Sequence, residues 1–173
     1  MEISLLSPKC TLVPSNFYDP ERVSDSLAEV VSLELEDEVE AVEIPQYDAV
    51  LLYAANASTE RSIVSETEDS GGESVPRPEL FYVLRSLENC KEYNKILCSW
   101  RGGYLYLAIA QGKTLLLANV FKAGDFVTAE YFIFLSMKKL QLNPEISTIC
   151  FRHPLESEDE MSLYRYFKAV ETL

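Results

Sequence analysis

Lys95–Trp100 (KILCSW), Tyr104–Ala110 (YLYLAIA) and Thr114–Phe121 (TLLLANVF) are three apolar runs separated only by Arg101-Gly102-Gly103 and Gln111-Gly112-Lys113. Connectors of that length cannot cross over a sheet, so the runs must be antiparallel strands joined by hairpins. Downstream, TAEYFIFLSMKKLQL (128–142) is long enough for a helix. Its consecutive apolar residues Tyr131 to Leu135 imply cover on more than one side. ISTICF (146–151) reads as a buried strand. A last helix is expected from a capping box at Ser157 and Glu160, with Leu163, Tyr166, Phe167 and Val170 facing inward. Upstream, PELFYVLRSLENC (78–90) opens this half as a helix with Leu80, Val83, Leu84 and Leu87 on one side.

Nearer the N-terminus, EISLL (2–6) and KCTLVP (9–14) suggest two strands joined by a tight turn at Ser7 and Pro8. In DPERVSDSLAEVVSL (19–33), Asp19 suits an N-cap and Pro20 the first helical position. Val23, Leu27, Val30 and Val31 give its apolar face. EVEAVEI (38–44) alternates as a strand with one wet face, while DAVLLYAA (48–55) suits a strand covered on both faces, as parallel strands usually are. The polar, acidic stretch 60–78 holds two glycines and two prolines among its turn-forming residues and reads as a linker.

The order of three antiparallel strands, helix, strand, helix resembles the ribonuclease H-like fold, whose duplicated form is the actin-like ATPase fold. TLVPSNFYDPE (11–21), YDAVLLYA (47–54) and above all 114–145, where Leu116–Pro144 carries most of the likeness, resemble the domain of unknown function 3822 family. The resemblance implies a bacterial protein with an actin-like fold and no established activity. It sets the expectation of an α/β mixed sheet in ribonuclease H-like lobes: an incomplete N-terminal lobe over 1–59, the acidic linker over 60–78, and a C-terminal lobe over 79–173. The family's opening strands are expected to be missing, either through the choice of start or through divergence. An exposed strand edge would follow.

Composition limits the function. The 173 residues include 28 acidic and 15 basic side chains, a formal net charge of −13 that repels phosphate backbones and anionic membranes. Neither nucleic acid nor membrane is expected as a partner. The opening residues lack the features of a signal peptide, so a cytoplasmic protein is expected, with Cys10, Cys90, Cys98 and Cys150 as buried free thiols.

Chemistry is tested next. In the actin-like fold a hairpin usually supplies Asp-x-Gly to phosphate and Mg²⁺. Here the corresponding turn reads Trp100-Arg101-Gly102-Gly103, with Arg101 where the carboxylate belongs. Nucleotide hydrolysis is therefore not expected, and no cofactor or metal is assigned. Asp69-Ser70-Gly71-Gly72 imitates the motif inside an acidic loop, and Gly112-Lys113-Thr114 imitates the end of a P-loop inside a hairpin turn. The strand runs contain no carboxylates for a two-metal nuclease. His153, the one histidine, reads as a turn residue without a nucleophile signature, and Glu34, Glu36, Asp37, Glu38 and Glu40 as the wet face of a strand and its turn rather than a metal site. Two functions stay open. One is a non-catalytic protein-interaction module that binds a partner or itself, suggested by ten tyrosines and an apolar helix. The other is residual nucleotide or anion binding at Arg101, Gly102 and Gly103.

Overall fold

The computed structural model describes residues 2–65 and 75–173. The chain divides into two compact units, Met1–Tyr82 and Val83–Leu173.

In the first unit, β1 (Glu2–Leu5) is followed by β2 (Cys10–Pro14), α1 (Val23–Ala28), β3 (Glu38–Ile44), β4 (Ala49–Ala55), β5 (Arg61–Ser65) and β6 (Arg77–Pro78). Two three-stranded sheets result, ordered β5-β1-β6 and β2-β4-β3. The expected strands at both sides of Ser7 exist, but they do not pair with each other. The turn hands the chain from one sheet to the other: Leu6 N donates to Glu60 O at 2.8 Å, while Ser7 Oγ donates to Ala54 O at 2.5 Å. Strand β4 is buried along six of its seven residues, as its unbroken apolar run requires, yet it is antiparallel to both β2 and β3. Burial on two faces can thus arise in an antiparallel centre strand as well as in a parallel one.

Helix α1 is shorter than its apolar spacing suggests. Val30 N and Val31 N both close on Leu27 O, which ends the helix in a turn and leaves Val30 62% exposed. Leu27 is fully buried with Val50, Leu52 and Ala54, and Val23 and Val31 pack beside them. Asp19 does cap, its side chain accepting from Glu21 N at 3.0 Å, at the start of a single 3-10 turn (Pro20–Arg22).

Helix α2 (Glu79–Ser86) follows, with Leu80, Val83 and Leu84 buried, and Leu87 just beyond it buried as well. The wholly buried Glu79 carboxylate accepts the Ser4 hydroxyl, and its place in the first helical turn suits a negative charge.

The second unit is built from β7 (Asn94–Arg101), β8 (Tyr104–Gln111), β9 (Thr114–Lys122), α3 (Phe126–Lys139), β10 (Thr148–Phe151), α4 (Ser157–Tyr164) and β11 (Ala169–Thr172). Its sheet runs β11-β10-β7-β8-β9. The β7–β9 meander is antiparallel, and β10 and β11 are parallel to β7, which is the ribonuclease H-like order. One core joins the sheet residues Ile96, Leu105, Leu107, Ile109 and Phe151 to Ile133 and Met137 of α3 and to Leu163. Phe121 stacks on Phe132 at 4.6 Å.

Three expectations fail here. Helix α3 is covered on one broad face only: Ile133 is buried, Phe132 and Phe134 are half-buried, and Tyr131 is 60% exposed. The Ser157/Glu160 capping box is not made, because Glu156 occupies the N-cap position without a side-chain bond. The last helix also stops early. Lys168 N is captured by Pro144 O and Ser147 O, so Val170 packs from a strand, β11, and Tyr166 is 52% exposed.

Candidate functional site

Gly102 and Gly103 form the β7–β8 turn with φ of 59° and 78°. Two successive left-handed residues define the tight hairpin turn whose twist matches the strands, and only glycine takes both without steric cost. The tip is held from below. Ala123 N donates to Gly103 O at 2.9 Å, and Trp100 Nε1 donates to Ala123 O at the same distance, with the indole 5.3 Å from the Phe126 ring. The loop is thus a braced turn.

Arg101 ends β7, and β10 runs parallel to it, so the residues that follow β10 emerge at the same pole of the sheet. Arg152 N donates to Cys98 O at 2.9 Å, extending the ladder past the strand. His153 Nε2 then lies 3.5 Å from Arg101 Nη1, and Arg152 Nη1 reaches Ser86 Oγ at 3.4 Å. Arg101, Arg152 and His153 are each half-buried. Arg101, Gly102 and Gly103, singled out in sequence by their turn chemistry, do stand at this turn. Arg152 and His153 were missed, since a parallel pairing across about fifty residues leaves no local signal. A cluster of this kind can orient donors toward an anion. Among the described residues no group of three or more His, Cys, Asp or Glu side chains is arranged for a metal.

The other sequence candidates fall elsewhere. Gly112, at φ 57°, makes the β8–β9 hairpin turn as expected, and Asp69-Ser70-Gly71-Gly72 lies outside the described residues. The acidic stretch after Leu33 is more than a wet face. Asp37 accepts from Lys9 Nζ at 2.5 Å, Glu34 N at 2.8 Å and Asn56 Nδ2 at 2.9 Å. Burial raises its pKa, but these hydrogen bonds and the Lys9 charge prevail and hold it below the usual value. All four cysteines are buried free thiols. Cys90 and Cys150 share the lining of a cavity of about 100 Å³ with Glu92, Thr148 and Glu171. Burial pushes the Cys10 thiol up to about 12 and the Cys98 thiol well above its ordinary value. No helix among the described residues is long and apolar enough to cross a membrane.

Two comparisons place the chain. The family model described as Protein of unknown function (DUF3822) matches residues 2–170. The fold is also similar to a crystal structure from Bacteroides thetaiotaomicron VPI-5482 at 1.85 Å, a protein with actin-like ATPase fold and unknown function. The TM-score is 0.76 at 16% identity over 97% of this chain, which spans 66% of the length of that one. No curated protein matches the sequence.

Proposed function

Because the chain belongs to the DUF3822 family and has an actin-like ATPase fold, we propose that it is a non-catalytic binding module whose ligand is another protein. The observation that carries this reading is the outer side of the α3/α4 layer. Val127 (75% exposed), Tyr131, Met161, Tyr164 and Tyr166 stand in solvent there, while Ile133 and Leu163 of the same helices are fully buried. Tyrosine and methionine are enriched at protein interfaces because they bring large contact area with little charge to desolvate. Tyr166 is pre-positioned, its ring edge-on to Phe134 at 4.9 Å.

The test is affinity capture by the full chain beside a Val127→Glu/Tyr131→Glu variant. A partner held by the wild type and released by the variant supports the reading. Equal capture by both, or a strict monomer with no partner, removes it.

The braced Arg101 pole supports a second reading, anion binding. Its observation is the 3.5 Å approach of Arg101 to His153 beside Arg152. Thermal melting with phosphate and with ATP decides it, since a ligand at 100 times its Kd adds about 2.7 kcal/mol. A shift that Arg101→Ala abolishes is the supporting outcome.

A further inference from the structure

Strand β9 is the outer strand of its sheet, and no strand among the described residues pairs with its far edge. Its nine residues, TLLLANVFK, are half-buried along Leu115–Ala118, Val120 and Phe121. Proteins usually protect such an edge with proline, inward-pointing charge or a very short strand. This one has none of the three within Leu115–Phe121. Its one shield is Asn119, whose Oδ1 accepts from Val120 N at 2.8 Å. That bond shows the Val120 N–H turned away from β8. The alternation of an antiparallel ladder then turns the main-chain groups of Ala118 and Lys122 outward as well. A side-chain cap on the adjacent residue can be exchanged for a partner's carbonyl.

Charge identifies what would fit. Between Glu92 and Asp125 there is no acidic residue, and the intervening 93–124 carry Lys95, Arg101, Lys113 and Lys122. This segment is therefore +4, whereas the rest of the chain, with 11 basic and 28 acidic residues, is −17. Lys113 and Lys122 are exposed at the two ends of β9. A second copy pairing along the same strand would bring no carboxylate to either lysine and would join two chains of −13 each.

We propose that the free edge of β9 is a docking strand for an extended segment of a partner protein, apolar at alternate positions and carrying carboxylates at both ends. The partner extends the sheet by one strand through the outward main-chain groups of Ala118, Val120 and Lys122, and its acidic ends meet Lys113 and Lys122. This rests on the protein-binding reading but uses the main-chain edge of β9 rather than the exposed tyrosines.

The experiment uses the full chain and a fluorescent nonapeptide alternating valine and threonine between paired aspartates, followed by anisotropy. The same peptide with lysine ends is the control. The acidic peptide is expected to bind at least about tenfold more tightly, a preference that fades between about 50 and 500 mM salt. Lys113→Glu/Lys122→Glu reverses the preference at exposed sites that do not affect folding. Asn119→Ala uncovers the Val120 N–H and tightens binding. Val120→Pro removes that outward donor while sparing the bonds to β8, and abolishes binding. Equal binding of both peptides, no binding of either, or charge-reversed protein that binds as wild type overturns the proposal. So does a dimer in light scattering that Val120→Pro dissolves, which would assign the edge to self-pairing. A partner lost only on Tyr131→Glu, with every β9 variant unaffected, overturns the docking strand and leaves the protein-binding reading intact.

Discussion

Asp37 is held by three donors, its side chain only 1% exposed while it accepts from Lys9, Glu34 N and Asn56. Its folded pKa is depressed, so the stability it contributes is present above the unfolded value of about 3.9 and is lost as pH falls through the folded one. Asp37→Ala is expected to cost about 1.5–3 kcal/mol near neutral pH, by the usual worth of hydrogen bonds to a charged group. In urea titrations the gap between wild type and Asp37→Asn should narrow once pH drops below about 4. A constant gap would show that Asp37 carries no linkage. Gly103 offers a cleaner backbone test. At φ 78°, with nothing within 4 Å of an added Cβ, Gly103→Ala meets strain alone, expected at about 1–2 kcal/mol by denaturant unfolding. The role of Asp37 was not visible in sequence alone, because it stands in a run of similar acids, whereas the Gly-Gly pair signalled its own turn.

At the scale of elements, the legible parts are those whose partners are near in sequence. The three-residue connectors fixed the β7–β9 meander, and the aromatic run announced a helix over 128–142, which the structure forms as Phe126–Lys139 from a cap at Asp125. Asp125 Oδ1 accepts from Thr128 N at 2.7 Å, an interaction set by three residues of separation. The parts that sequence misjudged were decided at long range. Val170 fits a helical spacing from Leu163 and Phe167, but the carbonyls of Pro144 and Ser147 take the Lys168 N–H and turn the chain into β11. The same applies to the candidate site, where Arg101 was legible and its neighbour His153 was not. Helix α3 should dominate the second core. Ile133 is fully buried among sheet residues, so Ile133→Ala is expected to cost about 2–5 kcal/mol. Val127→Ala, on the exposed side of the same helix, should change stability by about 0.5 kcal/mol or less. Parallel urea melts check the pair, and similar losses at both sites would contradict the one-sided packing.

For the molecule as a whole, fold and chemistry part company. An actin-like architecture supplies a frame on which nucleotide hydrolysis can be built, but a frame performs no reaction without groups placed at its turns. At the pole of the second unit, Arg101 and His153 stand together and Arg152 follows β10, the arrangement on which the anion-binding reading rests. Attraction is not turnover. A phosphoryl group in transfer needs a metal to bridge its oxygens and a carboxylate to hold that metal. Arg101 carries the opposite charge at the turn where the family resemblance led one to expect such a carboxylate. Mg²⁺-ATP hydrolysis is accordingly expected at the background rate, measured as phosphate release over hours. Arg101→Asp should not rescue it, since among the described residues no group of three or more His, Cys, Asp or Glu side chains stands ready to hold a metal beside it. If Arg101→Asp did raise turnover above background, the remaining machinery would have to be present, and the non-catalytic reading of this fold would fall.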